Sequence, residues 1–163
     1  MNIRPATIED SSAIDALLGD AYAVVVSRMP PDDGLAFNAL LPRAREKYAN
    51  KGLCLVAEAQ GQIVGCVVYF SPGATEHPLF LGNSAHVQLL GVSPSQTKQG
   101  VGRKLMDYCL SLARKDEATE FRLQTSELMP EARKLYESLG FKVKAVLAPV
   151  WGQPTYLYSR NEA

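Results

Sequence analysis

Apolar residues recur every three or four positions in four parts of the chain, and this spacing predicts four amphipathic helices. The first two extend from about Thr7 to Ala21 and from about Leu35 to Tyr48. A third follows Gly100, where apolar residues form one stripe over 101–113, and a fourth covers 132–139. Each of these helices is expected to bury one face against a shared core.

Local signals refine the bounds of the first two helices. Thr7 with Asp10 three residues later resembles a capping box, which places Ile8 at the start of the buried face. Proline and glycine between Met29 and Gly34 separate the two helices. Pro42 is expected to kink or split the second helix, because proline lacks the N–H that a helix interior uses.

Val, Ile and aromatic residues dominate the segments between the helices and predict strands. Cys54 to Ala59 and Ile63 to Phe70 flank Gln60-Gly61-Gln62, a pattern that predicts a hairpin. The loop from Ser71 to Ser84 is long enough to favour a functional role. The other predicted strands are 2–5, 85–92, 121–125, 141–146 and 155–158, the last two joined by a Pro/Gly/Trp loop.

The order of elements, β-α-α-β-β-β-α-β-α-β-β, is typical of an α/β domain with a mixed sheet. The chain has 163 residues, close to the usual size of one domain. Neither a repeat nor a linker divides it, so we assign residues 1–163 to a single domain.

Charge and composition exclude several classes of function. Lys+Arg and Asp+Glu each number 17, and the resulting net charge of zero argues against a general nucleic-acid binder. Neither a long apolar stretch nor a signal sequence is present, so we expect a cytoplasmic protein with no membrane partner. Cys54, Cys66 and Cys109 lie in apolar runs and are expected to be buried free thiols, and their spacing predicts no metal site.

The segment around Gly100 and Gly102 carries the clearest chemical signal. A predicted strand runs into a turn, and two glycines one residue apart then open a helix. Free N–H groups in the first turn of a helix bind anions, and glycine lets a ligand approach the backbone closely. Lys98, Arg103 and Lys104 add positive charge. The segment therefore predicts a phosphate site, although a turn whose glycines only ease packing fits the same residues.

The spacing in this segment excludes two common nucleotide-binding motifs. A dinucleotide fingerprint requires a third glycine where this chain has Leu105. A P-loop requires Gly-Lys-Ser/Thr with another glycine five residues earlier, but here Arg103 follows Gly102 and the earlier position is Thr97.

A second motif follows at 132–141, which reads Ala-Arg-Lys-Leu-Tyr-Glu-Ser-Leu-Gly-Phe. Together with Thr97-Lys98-Gln99-Gly100-Val101-Gly102, it resembles the GNAT acyltransferase superfamily, whose members use acetyl-CoA. The family's glycine motif is Arg/Gln-x-x-Gly-x-Gly/Ala, and its late helix typically reads Ala-x-x-Leu-Tyr-Glu-x-x-Gly-Phe. The resemblance covers the order of elements from Ile3 to Tyr158, with sharp motifs between Val87 and Phe141.

This resemblance implies an α/β, GNAT-like fold and acetyl-CoA as cosubstrate, without a metal. The implied sheet is mixed and mostly antiparallel, with six or seven strands and about four helices, and two splayed central strands form the CoA cleft. The implied CoA contacts are the backbone of Leu90, Gly91 and Val92 for the pantetheine arm, the segment Thr97, Lys98, Gln99, Gly100, Val101, Gly102 and Arg103 for the pyrophosphate, and Met129 and Arg133. Thr97 replaces the usual Arg or Gln and Met129 the common Asn, so two side-chain contacts depart from the family pattern.

Acetyl transfer from a thioester to an amine requires a base for the amine and an acid for the departing thiolate. Tyr136 lies where the family often has its general acid; the alternative is that it only packs the helix on the sheet. His86 lies six residues before Val92, at the offset of a catalytic glutamate in some relatives, and its ordinary pKa suits a base. A structural role for His86 and a water relay remain alternatives.

Three segments are expected to wall the acceptor pocket, but their residues do not identify the acceptor. Acidic side chains attract an amine and an arginine attracts a carboxylate. The segments are Ala21 to Phe37, Ser71 to Ser84 and Leu147 to Pro154, which supply Tyr22, Arg28, Asp32, Asp33, Glu76, His77 and Trp151.

The leading hypothesis is an N-acetyltransferase that moves an acetyl group from acetyl-CoA to a primary amine. The acceptor is a small molecule or a protein, with a small molecule favoured, and a homodimer is compatible with the sequence. A non-catalytic acyl-CoA-binding sensor or regulatory module is the alternative, because Thr97 and Met129 depart from the family pattern. An interaction domain unrelated to CoA is the third hypothesis.

Overall fold

The computed structural model describes residues 1–162, which form seven strands and four α-helices together with three short 3-10 turns. In chain order the elements are β1 (Asn2–Pro5), α1 (Ser11–Ser27), α2 (Pro31–Ala49), β2 (Leu53–Ala59), β3 (Gln62–Phe70), β4 (Ser84–Val92), α3 (Val101–Lys115), β5 (Glu120–Ser126), α4 (Pro130–Ser138), β6 (Lys142–Val150) and β7 (Gln153–Asn161).

All seven strands belong to one sheet, in the order β1-β2-β3-β4-β5-β7-β6. Only β4 and β5 are parallel, and every other neighbouring pair is antiparallel. The mixed, mostly antiparallel sheet and the four helices confirm the fold expected from the sequence.

Helices cover both faces of the sheet, and each face has its own apolar cluster. The cluster with α3 contains Leu55 and Val67, whereas the cluster with α1 and α2 contains their strand neighbours Val56 and Cys66. Successive side chains of a strand point to opposite faces, so strands covered on both faces must be apolar at consecutive positions. This explains the uninterrupted apolar runs of β2 and β3.

The first helix begins later than its apolar spacing predicts. A 3-10 turn covers Ile8–Asp10, and the α-helix starts at Ser11. The Asp10 carboxylate accepts a hydrogen bond of 2.7 Å from the Thr7 N–H, so the capping interaction is present. It caps the 3-10 turn, however, and this leaves Ile8 86% exposed and outside the core.

The second helix begins earlier than predicted and is not divided. It starts at Pro31, where a missing N–H costs nothing because the first N–H groups of a helix have no partner within it. Pro42 lies inside a helix that continues to Ala49, so the expected split does not occur.

The last two strands are longer than predicted, and the expected loop between them is a tight turn. Trp151 and Gly152 have φ values of 53° and 70°, as the two central residues of a type I′ hairpin turn require. The interval Leu147–Pro154 is therefore mostly strand, because β6 continues to Val150 and β7 begins at Gln153.

The cysteines are free, as predicted: Cys66 and Cys109 are buried and Cys54 is half-buried. Burial raises the pKa of Cys109 to about 12, so this thiol stays protonated at neutral pH. Within residues 1–162, none of the helices combines the length and the apolar character that spanning a bilayer requires.

His86 lies in the interior, stacked between two phenylalanine rings. Its ring centroid is 4.3 Å from that of Phe70 and 3.9 Å from that of Phe80, and the planes are nearly parallel. The residue is 3% exposed, and its Nδ1 has no hydrogen-bond partner among the described residues. Burial, with a smaller contribution from His77, lowers the pKa of His86 to about 4. The loop that carries Phe80 is thereby packed onto a neutral imidazole.

This stack predicts a loss of stability in mild acid. An unfolded histidine titrates near 6.5, so between pH 6.5 and 4 the unfolded chain binds a proton that the folded protein excludes. The free energy of unfolding should fall by on the order of 3 kcal/mol as the pH decreases through that interval. Urea denaturation of the wild type and His86→Phe at several pH values tests this. His77→Ala should keep most of the wild-type slope, because His77 makes only the smaller contribution to the lowered pKa of His86. A wild-type pH slope in His86→Phe would contradict the assignment.

Candidate functional site

Parallel pairing between β4 and β5 stops early and opens the sheet at its centre. Ser84, Ala85 and His86 pair with β5, whereas the rest of β4 has no partner on that side. Backbone groups of a strand point alternately to its two flanks, so the second half of β4 presents N–H and C=O groups toward the gap. The splayed central strands expected from the sequence are therefore present.

A bulge in β4 accompanies this separation. Cys66 pairs with Gly91 and Val68 with Gln88, so two residues of β4, Leu89 and Leu90, stand opposite one residue of β3. Leu89 has a φ of 55°, a left-handed conformation that is unfavourable for a leucine. The bulge directly precedes Gly91, which serves a different contact.

Gly91 allows α1 to pack directly on β4. A Cβ at this position would lie 3.1 Å from Cδ2 of Leu18 and 3.4 Å from Cβ of Ala21. On the same helix, the Tyr22 hydroxyl donates a hydrogen bond of 3.0 Å to the Leu90 carbonyl. Helix α1 thus holds the bulged segment by packing and by a hydrogen bond.

A cavity of about 820 Å³ occupies the gap. Since α1 and α3 lie on opposite faces of the sheet, the cavity runs between the strands from one face to the other. Its lining consists of Ala21, Tyr22, Val24 and Val25 of α1, Leu90, Gly91 and Val92 of β4, Gln96, Thr97, Lys98, Gly100, Val101, Gly102 and Arg103 of the turn and α3, and Met129, Glu131, Ala132, Lys134 and Leu135 at α4.

The turn into α3 is the polar end of the cavity. Gly100 precedes the helix with a φ of 80°, and Lys98 has a φ of 62°, so two residues in the left-handed conformation shape the turn into α3. The first N–H groups of the helix have no partner within it and face an anion favourably. The Thr97 hydroxyl donates to the Pro94 carbonyl, so this residue supports the turn rather than reaching outward.

Three basic side chains line this end of the cavity: Lys98, Arg103 and Lys134. Arg103 donates a hydrogen bond of 2.6 Å to Ser138, which ties α3 to α4. Gly102 brings the two helices close, because a Cβ there would lie 3.2 Å from Cδ2 of Leu135. The basic side chains of this end of the cavity therefore lie where α3 and α4 pack closely against each other.

Two predicted cofactor residues do not line the cavity. Gln99 is exposed and its side chain lies 3.5 Å from the Ser95 carbonyl. Arg133 donates to the Tyr158 hydroxyl at 2.9 Å and stacks over the Tyr156 ring at 4.6 Å. The next residue of α4, Lys134, lines the cavity in place of Arg133, since one residue corresponds to a turn of about 100° around a helix.

Comparison with known proteins decides the family. A family model described as "Acetyltransferase (GNAT) domain" matches residues 50–143, more than half of the chain. The chain belongs to the GNAT acetyltransferase family. The match includes β4, the glycine turn, α3 and α4, and so covers most of the cavity lining.

Relatives of known name agree with this assignment. The rat protein "N-acetyltransferase family 8 member 3" is 32% identical over 87 residues, which are 53% of this chain but only 37% of the rat protein. The PaiA N-acetyltransferase of Thermoplasma acidophilum, solved with coenzyme A, superposes with a TM-score of 0.76 at 18% identity over 98% of both chains. The ribosomal-protein-alanine N-acetyltransferase of Brucella melitensis gives 0.70 at 20% identity over 99% of both chains. These two structures show the same GNAT fold.

Tyr136 lies in the GNAT helix α4, on the same face as cavity-lining Ala132. Its ring packs against Phe141 and Tyr158, with centroids 6.1 and 6.4 Å away. Within residues 1–162 its hydroxyl makes no hydrogen bond. Burial raises the pKa of Tyr136, so its hydroxyl keeps its proton at neutral pH.

The structure does not bring His86 to the GNAT cavity. It lies in the paired half of β4, five residues from Gly91, which corresponds to roughly 16 Å along a strand. With both ring faces covered by phenylalanines and a pKa of about 4, it has neither access to the cavity nor basicity at neutral pH. It packs the loop 71–84, which contributes no residue to the cavity lining.

At the α1 face, an ion pair joins the two walls of the cavity. Arg28, directly after α1, donates to Glu131 at 2.9 and 3.4 Å and to the Leu128 carbonyl at 2.6 Å. The pKa of Glu131 is lowered, mainly by its hydrogen bond with Arg28. Glu131 was not singled out from the sequence, because nothing in its neighbourhood indicates a partner 103 residues earlier.

The expected acceptor segments contribute unequally. Ala21 to Phe37 supplies the α1 wall, including Tyr22. The turn residue Trp151 contacts Phe37 edge-on at 6.2 Å, and Phe37 contacts Tyr22 at 5.8 Å, so an aromatic row extends from the cavity toward the β6–β7 turn.

Proposed function

We propose that the protein is an acetyl-CoA-dependent N-acetyltransferase that acetylates a primary amine. The observation that carries this proposal is one cavity that is lined by the helix-opening turn at 97–103, by unpaired β4 backbone and by side chains of α1. Family membership and the coenzyme A complex of the Thermoplasma relative support the same function.

The two ends of the cavity suit the two substrates. The turn at 97–103 and the basic side chains of Lys98, Arg103 and Lys134 would hold the CoA phosphates. Leu90, Gly91 and Val92 would pair with the amides of the pantetheine arm, as a further strand pairs with a sheet edge. The acceptor amine would then enter from the α1 face.

Transfer requires one bond to form and one to break. The amine nitrogen forms a bond to the thioester carbonyl carbon, the carbon–sulfur bond breaks, and the nitrogen loses a proton while the thiolate gains one. Preorganised backbone N–H groups near the β4 bulge would stabilise the negative charge that develops on the carbonyl oxygen.

Tyr136 is the proposed acid for the thiolate. Its hydroxyl keeps its proton at neutral pH because burial raises its pKa, and no hydrogen bond from residues 1–162 competes for it. Tyr22 lines the cavity more directly, but its proton is already donated to the Leu90 carbonyl. His86 is too far away to serve as base, so we assign deprotonation of the amine to water rather than to this histidine.

A non-catalytic acyl-CoA-binding module is the second candidate. One observation favours it: Tyr136 is not among the residues that line the cavity. Such a module would bind acetyl-CoA and release no CoA when amines are added, whereas an enzyme would release the thiol in proportion to the amine.

The CoA site is tested at Gly100. Gly100→Glu places a carboxylate at the anion-binding turn, and we expect acetyl-CoA affinity to fall at least about tenfold, measured by calorimetry. Gly82→Glu is a matched control, because both glycines have a φ of 80° with open space at the Cβ position, and Gly82 does not line the cavity. Equal affinity in the two variants would refute the phosphate assignment.

The acid is tested by Tyr136→Phe, which removes only the hydroxyl. Loss of a general acid should lower the single-turnover rate of acetyl transfer by at least about tenfold, within the usual range for such groups. Acetyl-CoA affinity and melting temperature should change little. Tyr22→Phe, by contrast, removes the bond to Leu90 and should raise KM for acetyl-CoA more than it lowers the rate. A wild-type rate in Tyr136→Phe would show that Tyr136 only packs α4.

A further inference from the structure

The Arg28–Glu131 pair lies at the α1 face of the cavity and joins two of its walls. Arg28 follows the last turn of α1 and Glu131 lies in the first turn of α4, and both helices wall the cavity. Of the side chains from residues 1–162 that line the cavity, only that of Glu131 carries a carboxylate.

Arg28 is held independently of this carboxylate. Its Nη1 donates to the Leu128 carbonyl at 2.6 Å and only weakly to Glu131, at 3.4 Å, whereas its Nη2 donates to Glu131 at 2.9 Å. If Glu131 turned away, the guanidinium would stay in place, with Nη2 and Nε available for another carboxylate. Arginine binds carboxylates through such a planar pair of donors.

The pair is also easily opened. The Arg28 side chain is 33% exposed and that of Glu131 is 70% exposed, and ion pairs this open to water contribute little to stability. A ligand that supplies a cation for Glu131 and an anion for Arg28 would replace both halves of the pair and leave neither charge unpartnered.

The surroundings of the pair are apolar. Tyr22, Val25 and Met129 line the cavity beside it, and Val24 is a cavity-lining valine that is 49% exposed. Phe37 continues this surface from Tyr22. A ligand seated between the two charges would therefore contact aliphatic and aromatic side chains.

We infer that the acceptor is a free α-amino acid with an apolar side chain, whose ammonium group replaces Arg28 at Glu131 and whose carboxylate replaces Glu131 at Arg28. The inference rests on the proposed function and adds the substrate class to it. In an α-amino acid the nitrogen and the carboxylate carbon are about 2.5 Å apart, so one small molecule can satisfy both partners once the pair separates. The amine then lies at the carboxylate that borders the cavity, on the side from which the thioester is attacked.

A matched set of acceptors tests this substrate class. L-Phenylalanine and L-leucine would be compared with phenethylamine and 3-methylbutylamine, the matched amines that lack the carboxylate. Phenylalaninamide and a Phe-Gly-Gly peptide would also be compared, because in both an amide replaces the carboxylate next to the amine. Acetyl-CoA turnover would be followed by release of the CoA thiol. We expect kcat/KM for the two amino acids to exceed that of their matched amines by about tenfold or more, because a charge-assisted hydrogen-bonded pair is lost in the latter.

Variants of the pair locate the preference. Arg28→Ala should raise KM for L-phenylalanine at least about tenfold and change KM for phenethylamine much less, because phenethylamine has no carboxylate for Arg28 to bind. The exchange Arg28→Glu with Glu131→Arg preserves an ion pair but reverses its direction, and should not restore the use of L-phenylalanine. Arg45→Ala is the control, since it breaks another arginine–carboxylate pair, with Asp15, away from the cavity.

The outcomes separate this inference from the proposed function. Amines or the peptide used as well as the amino acids would overturn the amino-acid assignment while leaving the acetyltransferase intact. Recovery of L-phenylalanine turnover in the Arg28→Glu, Glu131→Arg double variant would also overturn the amino-acid assignment, because the ion pair would then only connect α1 with α4. If acetyl-CoA binds and no acceptor releases thiol, the proposed function fails; calorimetric titration of L-phenylalanine into the CoA complex then decides the inference, and absence of binding overturns it.

Discussion

The early end of pairing between β4 and β5 is the constraint on which the cavity depends. Backbone groups that leave a ladder must find other partners or remain exposed to solvent or ligand. In this protein the bulge at Leu89 and Leu90 interrupts the regular pairing of β4, and Tyr22 of α1 stabilises the bulge through its hydrogen bond to the Leu90 carbonyl. Gly91 permits that contact, because any side chain there would push Leu18 away. The packing of α1 on the bulged segment thus helps to hold β4 in the position that forms the cavity wall.

The two ends of the cavity differ in chemistry because they belong to different faces of the sheet. At the α3 face, helix N–H groups and basic side chains favour an anion. At the α1 face, apolar side chains surround one carboxylate and one guanidinium that neutralise each other. A molecule with a phosphate group at one end is therefore favoured in one orientation, with its other end toward the apolar face, where the proposed acceptor would bind.

Local features were predictable from the sequence and tertiary ones were not. The glycine turn at 97–102 and the apolar stripe of α3 are encoded by neighbouring residues, so both were placed correctly. The pair formed by Arg28 and Glu131 joins residues that are distant in the chain, and its formation depends on how α1 crosses the sheet. Residue spacing correctly predicted that His86 lies on β4. It did not predict where β4 separates from β5, because the bulge beside that point contains a leucine with positive φ, and no residue type in the sequence indicates such a bulge.

Two other predictions from the sequence were wrong: which basic residue of α4 faces the cavity, and the length of the turn between β6 and β7. Arg133 and Lys134 are adjacent basic residues, and only the exact rotation of α4 decides which of them faces the cavity. Proline and glycine between 149 and 154 indicate a loop, yet the structure places Pro149 and Pro154 within strands and turns the chain with two residues.

The position of β7 has a consequence for the order of folding. Although β7 is the last strand of the chain, it lies between β5 and β6 and pairs with β5 over seven residues. Until it emerges from the ribosome, β5 is an unpaired edge that carries buried-type residues such as Phe121 and Leu123. A nascent chain that includes the glycine turn and α4 but not β7 therefore still exposes an unpaired strand edge, which is prone to aggregation. The sheet is completed only when β7 pairs with β5, and such a long-range pairing is slow compared with the closure of a hairpin.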